Sequence, residues 1–190
     1  VDNSKSIKSV NIRSASIKKR LLISSSMVTA FETFLKRTIG KEVLIVNTNM
    51  GIEVYYYSKN DYSIFIREGV LLYTLARIDH EKLKFVNNLN REEVCRNFCE
   101  TLIAFSQYPQ IFLAYAKKFI YLKEKNKSSR YVIPILDSFF EETLKTLNET
   151  GEVPHYKKIE KTKKRFQKLG SEKNIIMNLI AEILLKIHSN

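Results

Sequence analysis

The sequence predicts an α+β protein, predominantly helical, in which a small three-stranded antiparallel meander packs on a bundle of six to eight helices. Three observations carry this expectation. Lys41–Gly69 holds three short apolar runs separated by Asn/Gly and Asn/Asp turns. Outside that stretch, apolar residues recur three and four apart, the spacing of one helical face. The 190 residues include only 5 Gly and 3 Pro, which suits helices joined by short connections.

Taken in order, residues 1–17 alternate serine, lysine and isolated aliphatics without a sustained period, and read as a flexible basic N-terminal arm. A single globular domain is expected over 18–190. Met27, Phe31, Phe34 and Leu35 form a helical stripe within 20–38, which Gly40 ends. The meander spans about 42–67. Val43–Val46 is followed by Asn, Thr and Gly, Ile52–Tyr57 by Ser, Lys, Asn and Asp, and Ile64 and Ile66 alternate with Ser63, Phe65 and Arg67. Alternation bounded by turn residues is the mark of a hairpin. Ile52, Val54, Ile64 and Ile66 should lie against helices. Tyr55, Tyr57 and Phe65 stand on the other face, either as a second packed face or as an exposed platform for stacking bases or a partner.

Beyond Gly69, Val70, Leu71, Leu72, Leu75 and Ile78 suggest a short buried helix. Asp79, His80 and Glu81 would open another, carrying Leu83, Phe85 and Val86. Asn90 and Glu93 have the spacing of a capping box ahead of a stripe of Val94, Phe98, Leu102 and Phe105. Pro109 should start the next helix, which turns Ile111, Phe112, Tyr115, Phe119 and Leu122 inward. Ile135, Leu136, Phe139, Phe140, Thr143, Leu144 and Leu147 make a further stripe, closed by Gly151. Residues 152–170 read as a loop, a basic helix around Ile159, Phe166 and Leu169, or both. A last helix carries the wide aliphatic stripe 175–187, fit for a core or a dimer seam.

The net charge of +12 is unevenly spread. Residues 1–20 and 117–130 each carry six Lys/Arg against one acid, and 152–173 carry eight against three, so each block is +5. The rest of the chain is close to neutral. Clumped positive charge of this kind attracts polyanions. Eleven Phe and ten Tyr argue for a folded body rather than a disordered one. The apolar runs are far shorter than the ~20 residues needed to span a bilayer. No secretory signal is read, so no membrane insertion and a cytoplasmic location are expected.

No pattern of enzymatic chemistry stands out. Cys95 and Cys99 share a helical face, but a zinc site needs further ligands and the three histidines are scattered. The pair is read as thiols packed as small apolar groups. Thr38-Ile39-Gly40-Lys41 lacks the glycine spacing of a phosphate loop. The expectation is a protein without enzymatic activity, metal or cofactor.

The segment from Met27 to Arg37, followed by Gly40, then Gly51-Ile52 and Tyr55-Tyr56-Tyr57-Ser58-Lys59, resembles the TetR family of bacterial repressors. So do Tyr108-Pro109 between two helices and Thr150-Gly151-Glu152 after a long one. The resemblance implies a three-helix DNA-binding unit followed by a helical ligand-binding domain. It departs over Lys41–Val54, which is too short for two such helices and favours strand.

The function expected first is a basic, nucleic-acid-associated accessory or regulatory protein bound to DNA or RNA. In it Lys18, Lys19 and Arg20, with Lys157, Lys158, Lys161, Lys163, Lys164 and Arg165, hold phosphates, while Tyr55 and Tyr57 stack on bases. A different class of role is a protein–protein assembly or adaptor module, possibly a homodimer through Ile176, Ile180, Ile183 and Ile187. A ligand-responsive repressor of the TetR kind is the remaining alternative.

Overall fold

A computed structural model describes residues 5–14, 21–74, 83–151 and 153–168. Among them are four strands and six helices: β1 (Ser6–Ser14), α1 (Ser25–Ile39), β2 (Val43–Thr48), β3 (Gly51–Ser58), α2 (Ser63–Tyr73), β4 (Leu83–Asn88), α3 (Arg91–Ser106), α4 (Pro109–Lys125), α5 (Val132–Glu149) and α6 over 156–168. The α+β, mainly helical class holds. The sheet has four antiparallel strands in the order β2-β3-β1-β4.

The β2–β3 hairpin forms where the sequence places it. Thr48 pairs with Gly51 across Asn49-Met50. Gly51 has φ +142°, and a Cβ there would lie 2.4 Å from the carbonyl oxygen of Ile12, so glycine lets β3 start against β1.

Three elements differ from expectation. Residues 6–14, assigned to a mobile arm, form the inner strand β1, paired to both β3 and β4. Residues 64–66, expected as the third strand of the meander, belong to α2. Ser63, Ile66, Gly69 and Val70 are its buried positions, at helical spacing. Asp61 helps to start it, accepting from the Ser63 N–H at 2.8 Å and from the Ser63 hydroxyl at 3.1 Å. A Cβ on Gly69 would sit 2.9 Å from the Phe34 ring, so this glycine permits close packing of α2 on α1. Leu71 and Leu72 are exposed rather than buried. Leu83, Phe85 and Val86, expected on a helix, lie on strand β4.

The sheet is covered on both faces. Val10, Ile12, Ile45, Ile52, Val54 and Tyr56 pack on Phe31, Leu35, Ile66 and Val70 of α1 and α2. Ile7, Leu44, Val46 and Tyr55 pack on α3, α4 and α5, with Phe98, Phe112, Phe119, Leu136 and Phe140 at the centre. The predicted stripes of these three helices are buried as expected, apart from partly buried Ile111 and Ile135. The capping box also forms: Asn90 Oδ1 accepts from the Glu93 N–H at 3.0 Å, and the Glu93 carboxylate accepts from the Leu89 N–H at 2.7 Å.

Polar groups line the face of β1 that meets α3. Asn11 bonds to Asn97, Arg13 donates to Thr101 Oγ1 at 3.2 Å, and Asn88 Nδ2 donates to Ser9 Oγ at 2.9 Å. Glu53, opposite Asn11, accepts from the hydroxyls of Tyr115 at 2.6 Å and Tyr55 at 3.0 Å. Burial raises the Glu53 pKa, against the opposing pull of the two phenols and of Arg13. For Ser9, Glu53 and Asn88 the partners offset the desolvation cost of burial, whereas the buried Asn11 Oδ1 has no hydrogen-bond partner among the described residues.

Strands β2 and β3 occupy 43–48 and 51–58, within the interval where the TetR resemblance departs toward strand. No helix among the described residues is long and apolar enough to cross a membrane.

Candidate nucleic-acid interface

The second and third basic blocks meet. Residues 117–125 form the end of α4, and residues 156–168 form α6. Helix α6 docks through Ile159, which is fully buried, and through Phe166, whose ring lies 6.3 Å from that of Tyr121 on α4. Lys163 ties it further to α5. Its Nζ donates to Glu141 at 2.7 Å, contacts Glu160 at 3.1 Å, and lies 5.9 Å from the centre of the Phe140 ring. Burial alone would lower the Lys163 pKa, but the two carboxylates outweigh it and hold the ammonium charged.

Two rows of side chains result. Lys157, Lys161 and Lys164 stand at i, i+4 and i+7 on the exposed side of α6, opposite Ile159. On α4, Lys117, Tyr121 and Lys125 stand at i, i+4 and i+8, all exposed. Lys118 places its ammonium 6.0 Å from the centre of the Tyr121 ring, a cation over an aromatic face. Tyr156 begins α6 and, with Lys157, Glu160, Lys161 and Lys164, lines an open groove of about 370 Å³.

The predicted residues divide accordingly. Lys157, Lys158, Lys161, Lys164 and Arg165 are exposed. Lys163 is spent on the α5–α6 contact. Tyr55 is buried and bonded to Glu53, so the aromatic face of the sheet is a packed face and not a platform. Tyr57 is half-buried, its ring stacked on Tyr131 at 4.4 Å and 6°. Lys18, Lys19 and Arg20 lie outside the described residues, as do Ile176, Ile180, Ile183 and Ile187. Lys8, from the first basic block, is buried, its ammonium donating to the Ser58 carbonyl at 2.6 Å.

The sequence reading missed Lys117, Tyr121, Lys125 and Tyr156. A signal was present for Tyr121. It falls off the inward stripe of Phe112, Tyr115, Phe119 and Leu122, and lysines stand one turn to either side.

The 117–130 block continues past α4 into the loop 126–131, which lines a cleft of about 600 Å³ against Lys36, Lys41, Glu42 and Leu44. The positive end of α5 faces this cleft but is already satisfied. Glu42 accepts from Ser129 Oγ at 2.7 Å and from the N–H groups of Arg130, Tyr131 and Val132 at 2.8, 3.1 and 3.0 Å. Burial alone would raise the Glu42 pKa, but these four donors outweigh it and hold the carboxyl below the usual range. Glu42 thus acts as a helix cap supplied from β2's end of the chain. Glu42→Ala should cost about 2 kcal/mol of stability in denaturant titrations. The depressed pKa also sets a pH dependence. The contribution of Glu42 is complete above the ordinary carboxylate range and is lost as pH falls through the lowered value. The stability gap between the wild type and Glu42→Gln should therefore shrink as pH falls through and below the ordinary carboxylate range. A gap that widens on acidification would contradict the role assigned to this carboxylate.

Among the described residues, no group of three or more His, Cys, Asp or Glu side chains could hold a metal ion. Cys95 and Cys99 lie with their sulfurs 4.0 Å apart on α3, and Thr143 donates to Cys99 Sγ at 3.2 Å. No protein-family model matches the chain, nor does any curated protein or solved structure.

Proposed function

We propose that the protein is a nucleic-acid-associated accessory protein whose role is binding rather than catalysis, and that it holds the phosphate backbone through α4 and α6. The observation that carries the reading is the docking of Phe166 beside Tyr121. It brings the described parts of two basic blocks, 117–125 and 156–168, onto adjoining helices. Lysines on helices reach phosphates as point charges and carry no base-reading geometry, so the binding is of low sequence specificity. Fluorescence anisotropy with labelled mixed-sequence oligonucleotides at about 50 mM salt tests it. Saturable binding with closely similar affinity for scrambled sequences is the expected result. Absence of binding at that salt would reject the reading.

A further inference from the structure

We propose that the nucleic acid held by α4 and α6 is single-stranded; this rests on the reading above. Lysine rows alone suit any polyanion, duplex included. The discriminating feature is the pair of rings set among them. Tyr121 is 47% exposed and Tyr156 is 40% exposed, each far more than a core aromatic. Tyr121 meets the tilted ring of Phe166 at 6.3 Å, has the Lys118 ammonium 6.0 Å over its ring, and stands between Lys117 and Lys125 one turn to either side. Tyr156 borders the open groove that Lys157, Lys161 and Lys164 line. Both rings are carried on helices, so little freedom is lost when a flat group lies against them.

A base pair in a duplex already has both faces stacked on its neighbours and has none to offer a side chain from outside. An unpaired base has free faces, and stacking on an aromatic ring beside a phosphate-holding lysine recovers what unstacking exposes. The tyrosines therefore add affinity for a single strand and almost none for a duplex. The lysines contribute to both.

The test compares a labelled twenty-nucleotide oligo(dT) with a duplex of the same length and salt, using the full chain. The single strand is expected to bind at least tenfold more tightly. Tyr156→Ala should weaken oligo(dT) binding on the order of tenfold while leaving duplex affinity and the salt dependence unchanged, and Tyr121→Ala, which also removes the contact with Phe166, should cost the single strand more than the duplex. Tyr121→Phe and Tyr156→Phe, which keep the ring, should retain single-strand affinity. Both tyrosines are surface residues, and circular dichroism of each variant separates lost stacking from lost fold. Equal affinity for the two forms, with neither tyrosine mattering, would overturn this inference and leave the phosphate-binding reading standing. Equal weakening of both forms by the alanine variants would also overturn it. Failure of the wild type to bind either form would remove the underlying reading itself.

Discussion

Converting Lys157, Lys161 and Lys164 together to glutamate is expected to weaken oligonucleotide binding by about a hundredfold or more at roughly 50 mM salt. The three side chains form a single exposed row on α6, and none contributes to the core, which α6 reaches through Ile159 and Phe166. The fold should therefore survive. Each lost phosphate contact also removes one released counterion, so the salt dependence should flatten by about two units of slope for a single strand. A charge-matched control places the same reversals on Lys41, Lys59 and Lys84, which are exposed at the ends of the sheet strands. That control should change affinity far less. Equal losses in the two triple variants would mean that net charge, and not the α4–α6 surface, governs binding.

Phe98→Ala should be the most damaging single substitution in the core. Phe98 is 1% exposed and touches four rings: Tyr55 at 6.1 Å, Tyr115 at 6.5 Å, Phe119 at 5.7 Å and Phe139 at 6.3 Å between centroids. It therefore joins α3 to the sheet, to α4 and to α5 at one point. Truncating such a phenylalanine removes its burial and leaves a cavity, at a cost of about 3–5 kcal/mol. Domains have only about 5–15 kcal/mol in total, so a large share is lost. The expected drop in melting temperature is roughly 10 °C, with a matching fall in the denaturant midpoint. A loss under about 1 kcal/mol would mean that the aromatic cluster does not pack as described. Binding by α4 and α6 should persist below the lowered melting temperature, because the α4 rings that Phe98 touches, Tyr115 and Phe119, are buried and are not among the exposed residues of the basic rows.

Helices α3, α4 and α5 were readable from the sequence because their apolar stripes are long and their neighbours are local. Val94, Phe98, Leu102 and Phe105 repeat over three turns and admit no strand reading. Strand β1 was not readable for a physical reason. One face carries the buried Ser9 and Asn11 and the exposed Arg13, all of which look like surface residues. Their partners Asn88, Asn97 and Thr101 lie about eighty or more positions away, and only the fold brings them together. Ile64 and Ile66 misled because two alternating residues fit a strand as well as a helix, whereas the longer spacing of Ser63, Ile66 and Val70 decides for the helix. β4 is equally short and ambiguous.

The site was legible in its charge and not in its rings. Blocks of lysine are visible along a chain, and α6 kept most of its row exposed. The expectation that aromatics for stacking would lie on the sheet failed because that face has its own helical cover, with Tyr55 sealed against Phe98. The exposed rings beside the lysines are on helices instead. Tyr121 carried a signal in falling off the inward stripe of α4, whereas Tyr156, the first residue of α6, carried none.

The most direct measurement is the affinity of the wild-type chain for a single-stranded oligonucleotide across a series of salt concentrations. Five lysines in the two rows, Lys117, Lys125, Lys157, Lys161 and Lys164, predict a linear fall of log K with log salt, with a slope of about −3.5. A slope near zero, with binding retained at high salt, would show that the lysines do not hold phosphates and would contradict the account.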